Sequence, residues 1–87
     1  MLEEDTLWAN STKQEIESIA KNWSKKYTLR QLQSLRQDFL NHLKNLPELT
    51  ITELQGKNTD NSIQHQSINN RLIVLSRAID IIEFGNK

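Results

Sequence analysis

Between Ile68 and Ile82 the chain repeats large aliphatic residues at Ile68, Leu72, Leu75, Ile79 and Ile82, in steps of four, three, four and three. That spacing draws one continuous stripe along an α-helix. Val74, Ala78 and Ile81 form a second row beside it, so the apolar arc is wider than a surface helix needs. A helix of this kind has to be covered over most of its girth, either by the rest of the chain or by another protein.

The rest of the chain is short. Its 87 residues make one domain, near the lower end of the size at which a core supports itself. Only 36% of residues are apolar, but they fall at helical spacing in three blocks, which argues for a modest core rather than disorder. Eleven basic and eleven acidic residues cancel. By segment the charge is −1 over 1–27, +2 over 28–46, −2 over 47–66 and +1 over 67–87. No segment is a polybasic footprint, which disfavours phosphate-driven nucleic-acid binding. The chain has no cysteine, so disulfides, thiol catalysis and Cys-containing zinc sites are excluded. The first residues are acidic where a signal peptide is basic, and the longest apolar run, Leu72 to Leu75, has four residues, far short of a membrane span. The expectation is a cytoplasmic protein that does not enter the membrane.

Three helices are expected, at about 12–26, 29–46 and 67–84, in a single helical domain over 11–87 preceded by an N-terminal arm at 1–10. The arm carries Glu3, Glu4 and Asp5, then Leu7 and Trp8. Ser11 or Thr12 can cap the first helix, with Gln14 or Glu15 returning the bond. Ile16, Ile19, Ala20, Trp23 and Tyr27 line one of its faces. Thr28 with Gln31 opens the second helix. That helix carries Leu29, Leu32, Leu35, Phe39, Leu43 and Leu46, and stops before Pro47. Residues 48–66 allow two readings: a short β-hairpin around the turn-dense Gly56–Asn61 run, or a short helix capped by Thr50 with Glu53. The last helix starts between Asn61 and Ser67, with Ser67 a candidate cap, and Gly85 is its terminator. Arg71, Arg77, Asp80 and Glu83 mark the wet side of that helix. The fold class is therefore mainly α, with the last helix between the stripes of the first two. The expected core is Ile16, Ile19, Trp23, Leu32, Leu35, Phe39, Leu43, Leu72, Leu75, Ile79 and Ile82.

Chemical apparatus is sparse. His42 follows Asp38 by four residues, a spacing that can orient a base or supply two metal ligands. The same spacing also describes an ordinary solvated pair, and no third ligand or nucleophile accompanies it. His65 sits in a polar stretch. Glycine occurs only at Gly56 and Gly85, so no phosphate-cradling loop is present. No catalytic residue, metal ligand or cofactor site is expected. Lys25, Lys26, Arg30 and Arg36, with Trp23 and Tyr27 interleaved, are the residues a nucleic-acid-binding regulator would use. The plainer reading places both aromatics in the core and the lysines at a helix C-terminus.

The order of a helix at 29–46, a turn-rich stretch at 48–66 and a helix at 67–84 is similar to that of small phage head–tail joining proteins, which implies a structural joining or assembly role as an alternative. From the residues themselves the expected function is a non-enzymatic protein–protein interaction module. It would bind a larger partner as an inhibitor or adaptor, or associate with itself, through apolar helix faces. The contact residues so expected are Trp8, Ile73, Val74, Ile81 and Phe84.

Overall fold

Threonine precedes four of the five helices among the described residues. The structure, a computed structural model, describes residues 2–56 and 59–85. Its elements are α1 (Leu2–Ala9), α2 (Lys13–Lys26), α3 (Leu29–Asn45), α4 (Ile51–Leu54) and α5 (Asp60–Phe84). At α2 the Thr12 hydroxyl accepts from the Glu15 backbone N–H at 3.1 Å, and the Glu15 carboxylate accepts from the Thr12 N–H at 2.9 Å. Thr28 with Gln31 and Thr50 with Glu53 repeat this reciprocal box at α3 and α4. Thr59 repeats it at α5, with the Ser62 hydroxyl in the returning role. Each box satisfies two backbone donors that a helix start otherwise leaves open.

The mainly α class is as the sequence predicts, and two boundaries differ. Residues 1–10 are not an arm: Leu2–Ala9 is a helix laid against α5. Within 48–66 the short-helix reading holds, since α4 occupies Ile51–Leu54 and the described residues contain no strand. Lys57 and Asn58, within the turn-dense run, lie outside the described residues. Finally, the last helix begins at Asp60 rather than 67, and Ser67 is fully buried inside it instead of capping it. At the other ends of the helices, Leu46 is extended (φ −77°, ψ 148°) before Pro47, where a helical conformation would clash with the ring. Gly85 ends α5 at φ 80° and ψ 164°, a region open essentially to glycine alone, and distinct from the left-handed helical turn.

α5 is the spine. At 25 residues it extends about 37 Å at 1.5 Å per residue, close to the 41 Å long axis of the molecule. α1, α2 and α3 each pack against it. The core consists of Ile16, Ala20, Leu32, Val74, Leu75, Ala78 and Ile81, all 9% exposed or less. Trp8, Ile19, Trp23, Tyr27, Leu35, Phe39, Ile79 and Ile82 are packed around it and half-buried.

The buried line of α5 is thus rotated from the expected stripe. Ser67, Asn70, Val74, Ala78 and Ile81 run along its middle, in steps of three, four, four and three, with Ile68 and Leu75 beside them. Leu72, Ile79 and Ile82 flank this line and are only half-buried, as is Leu43 on α3. The middle line reads as weakly apolar because its first half is polar. That half receives α1. The Ser67 hydroxyl donates to Asp5 at 3.0 Å, and the Asn70 side-chain amide donates to the carbonyls of Trp8 at 2.7 Å and Ala9 at 3.4 Å. Asn70 therefore closes the C-terminal end of α1, whose last carbonyls have no partner within their own helix. Arg71, expected on the wet side, instead pairs with Asp5 at 3.7 Å and lies over the rings of Trp8 and Phe39, at 5.2 and 5.4 Å from their centroids. Further along, Arg77 reaches Glu17 of α2 at 2.9 Å.

Two expectations follow. Leu75→Ala should cost about 2–5 kcal/mol in urea denaturation, whereas Ile73→Ala, about half a turn round the helix on the open face, should stay within about 0.5 kcal/mol. The second concerns pH. Hydrogen bonds from Thr12 hold the Glu15 carboxyl below its ordinary pKa, and bonds from Thr50 and then Thr59 do the same for Glu53. Both lowered values contribute stability that is complete above the unfolded-state pKa of about 4.3 and is lost as pH falls through the folded values. A Glu15→Gln/Glu53→Gln variant keeps a side chain able to close each box. Its thermal midpoint should fall less than the wild type's between about pH 5 and pH 3.

Candidate interaction surface

On the open side of α5, about a quarter turn around its axis from the buried midline, lie Ile73, Arg77, Asp80 and Phe84, in steps of four, three and four. All four are exposed, Ile73 by 51% and Phe84 by 74%. At about 100° per residue they lie within roughly 60° of arc, a narrow outward stripe. Beside the stripe runs the groove between α3 and α5. Arg36 and Leu40 come from α3, and Leu72, Ile73, Arg77 and Asp80 from α5, around a volume of about 510 Å³. Its floor is aliphatic and its rim charged. Asp80 makes no hydrogen bond or ion pair among the described residues, whereas Arg77 keeps its Nε on Glu17.

The residues expected to contact a partner divide on burial. Ile73 and Phe84 are open to solvent. Val74, at 0% exposure, and Ile81, at 9%, are core side chains beneath α2 and α3 and have no surface to offer. They stand in the row that the sequence placed beside the main stripe, and that row proves to be the inner one. Trp8 is also an internal anchor: its ring meets Trp23 edge-on at 5.9 Å and 65°, with the Arg71 guanidinium on it. Trp23 in turn meets Tyr27 edge-on at 5.7 Å and 83°. These contacts take up the aromatics interleaved with the basic cluster. Lys25, Lys26, Arg30 and Arg36 themselves are exposed, the first two in the last turn of α2 and the others on α3. Lys26 lies over the Tyr27 ring at 5.4 Å.

Asp38 and His42 are both exposed on α3, and no group of three or more His, Cys, Asp or Glu among the described residues could hold a metal ion. His65 has a structural task instead. Its Nε2–H donates to the Pro47 carbonyl at 2.7 Å, and the Asn61 amide donates to the same oxygen at 3.1 Å. The connection leaving α3 is thereby tied to the first turns of α5. Glu53 adds a second tie, since its carboxylate accepts from the Thr59 hydroxyl as well as closing the α4 box. The α1, α4 and α5 segments enclose a second depression of about 500 Å³, lined by Thr6, Asn10, Leu54, Glu53, His65 and Asn69 among others. Its two ionisable groups, Glu53 and His65, are the ones engaged in these ties. Leu7, Ile51 and Leu54 are further large apolar side chains open to solvent, at 71%, 75% and 69%.

None of these ties was visible beforehand. Ser67, Asn70 and Asn61 look like solvated residues in a polar stretch. The one available signal was Asn70 standing one turn before Val74, in line with the inner row.

No protein-family model, characterised protein or solved structure matches the chain. The order of elements similar to phage head–tail joining proteins is changed by α4 and by the early start of α5 at Asp60. No described helix is long and apolar enough to cross a membrane.

The contrast between inner and outer aromatic residues is testable. Trp8→Ala should lower stability by more than about 1 kcal/mol and Phe84→Ala by less than about 0.5 kcal/mol, measured as urea midpoints in dilute solution.

Proposed function

We propose that the chain is a non-catalytic protein–protein interaction module, an inhibitor or adaptor in kind, which engages protein through the outward stripe of α5 and the α3–α5 groove beside it. One observation carries this reading. The longest helix, already covered on its inner side by α1, α2 and α3, still leaves Ile73 and Phe84 in solvent at 51% and 74%. Large apolar side chains exposed on one rigid face, with the charges of Arg77 and Asp80 between them, are the kind of patch that marks a protein interaction site. Helices fastened to a spine also present such a face with little ordering cost on binding.

Ile73 and Phe84 lie outside the buried core, so changes there separate binding from stability. Ile73→Asp and Phe84→Asp should leave the far-UV circular dichroism unchanged. They should also weaken association with any protein retained by the immobilised wild-type chain by at least about tenfold. Equal retention by wild type and both variants would sink the reading.

A further inference from the structure

The outward stripe complements its own reverse: apolar at Ile73, basic at Arg77, acidic at Asp80, apolar at Phe84, with every member exposed. We infer that it is an isologous docking site for a second copy of this chain, in which two α5 helices cross antiparallel about a two-fold axis between Arg77 and Asp80. This inference rests on the proposed interaction module and names its partner.

The register follows from the spacing. An antiparallel pair centred between positions 77 and 80 brings Arg77 of each copy to Asp80 of the other. The same register brings Ile73 of each copy to Phe84 of the other. Two charge pairs therefore sit at the centre and two apolar pairs at the ends, about 16 Å apart along the helix at 1.5 Å per residue. A two-fold interface requires one patch to complement itself, and this sequence of side chains does so in the antiparallel sense. A parallel pairing in register would set Arg77 against Arg77 and Asp80 against Asp80. The groups are available for the antiparallel pairing. Asp80 makes no hydrogen bond or ion pair among the described residues. Arg77 gives Glu17 its Nε, and a guanidinium has further N–H donors on its two terminal nitrogens. With eleven positive and eleven negative residues, two copies approach without long-range repulsion. A single helical stripe buries less than a standard interface, so the dimer is weak, forming in the micromolar to millimolar range.

Sedimentation velocity between about 10 µM and 1 mM tests the stoichiometry. The wild type should pass from monomer to dimer. Asp80→Arg, which sets four arginines together, and Arg77→Asp, which sets four aspartates together, should each weaken dimerisation at least about tenfold. An equimolar mixture of these two variants should recover it, because the charges again alternate.

Cysteine placement tests the register without relying on the charge variants, since the chain has no cysteine of its own. An oxidised equimolar mixture of Ile73→Cys and Phe84→Cys should yield the mixed disulfide well beyond the twofold excess over either homodimeric one that random pairing gives. Preferential cross-linking of Ile73→Cys to itself, or a charge-swapped mixture that stays monomeric, overturns the antiparallel pairing while self-association stands. A wild type that is monomeric at about 1 mM overturns the self-docking site altogether. The interaction module then survives only if Ile73→Asp still abolishes retention of another protein.

Discussion

A single helix holds the protein together, and the others are joined by being joined to it. α1, α2 and α3 all lie on α5, and the connection after α3 is tied to its first turns through His65, Asn61 and Thr59. The spine uses two chemistries to do so. Toward its C-terminal half Val74, Leu75, Ala78 and Ile81 exclude water with Ile16, Ala20 and Leu32, a non-directional attraction proportional to area. Toward its N-terminal half Ser67, Asn70 and Arg71 hold α1 by directed bonds. Those bonds fix the position of α1 more than they add free energy, because each replaces a bond to water. Every buried side-chain polar atom among the described residues has a partner, as burial of a polar line requires.

The sequence disclosed what depends on local spacing and concealed what depends on polar groups meeting across the fold. The boxes at Thr12, Thr28 and Thr50 were legible because Glu or Gln stands three residues on, the side chain long enough to reach back. The fourth is not, since Ser62 performs that service at Thr59 with a shorter side chain, so the spacing leaves the start of α5 open between Asn61 and Ser67 where the helix begins at Asp60. Likewise the count of large aliphatics pointed to Leu72, Ile79 and Ile82. The true midline passes through Ser67, Asn70 and Ala78, small or polar residues that hydropathy discounts. One face of the helix was recognised, turned by a fraction of a turn. That rotation is why Val74 and Ile81 were assigned to the surface and are core, while Ile73 and Phe84 were assigned to the surface and are on it. The ties at Asp5, Asn61 and His65 carry no pattern in the chain, because each partner lies 14 to 62 residues away.

The polar first half of the midline also accounts for what the protein leaves outside. The three covering helices take up the inner arc of α5, and reach the stripe from Ile73 to Phe84 at its edges, through Glu17 on Arg77 and through Arg36 and Leu40 in the groove beside it. Sequence economy would place charge there throughout, as it does at Arg77 and Asp80. Aliphatic and aromatic side chains bracketing those two charges are the departure on which the functional reading rests.

Both indoles of the chain, Trp8 and Trp23, meet at one junction, the edge-on contact that joins α1 to α2. Tryptophan emission from this protein thus reports the surroundings of that junction, Trp8 on α1 and Trp23 on α2, whereas backbone ellipticity sums over every helix. A helix held mainly by directed bonds at one end of a spine belongs to the part of a fold that opens first. On heating, the emission change therefore precedes the loss of ellipticity. The interval between the two curves reports how far the partly opened chain lies below the fully unfolded one.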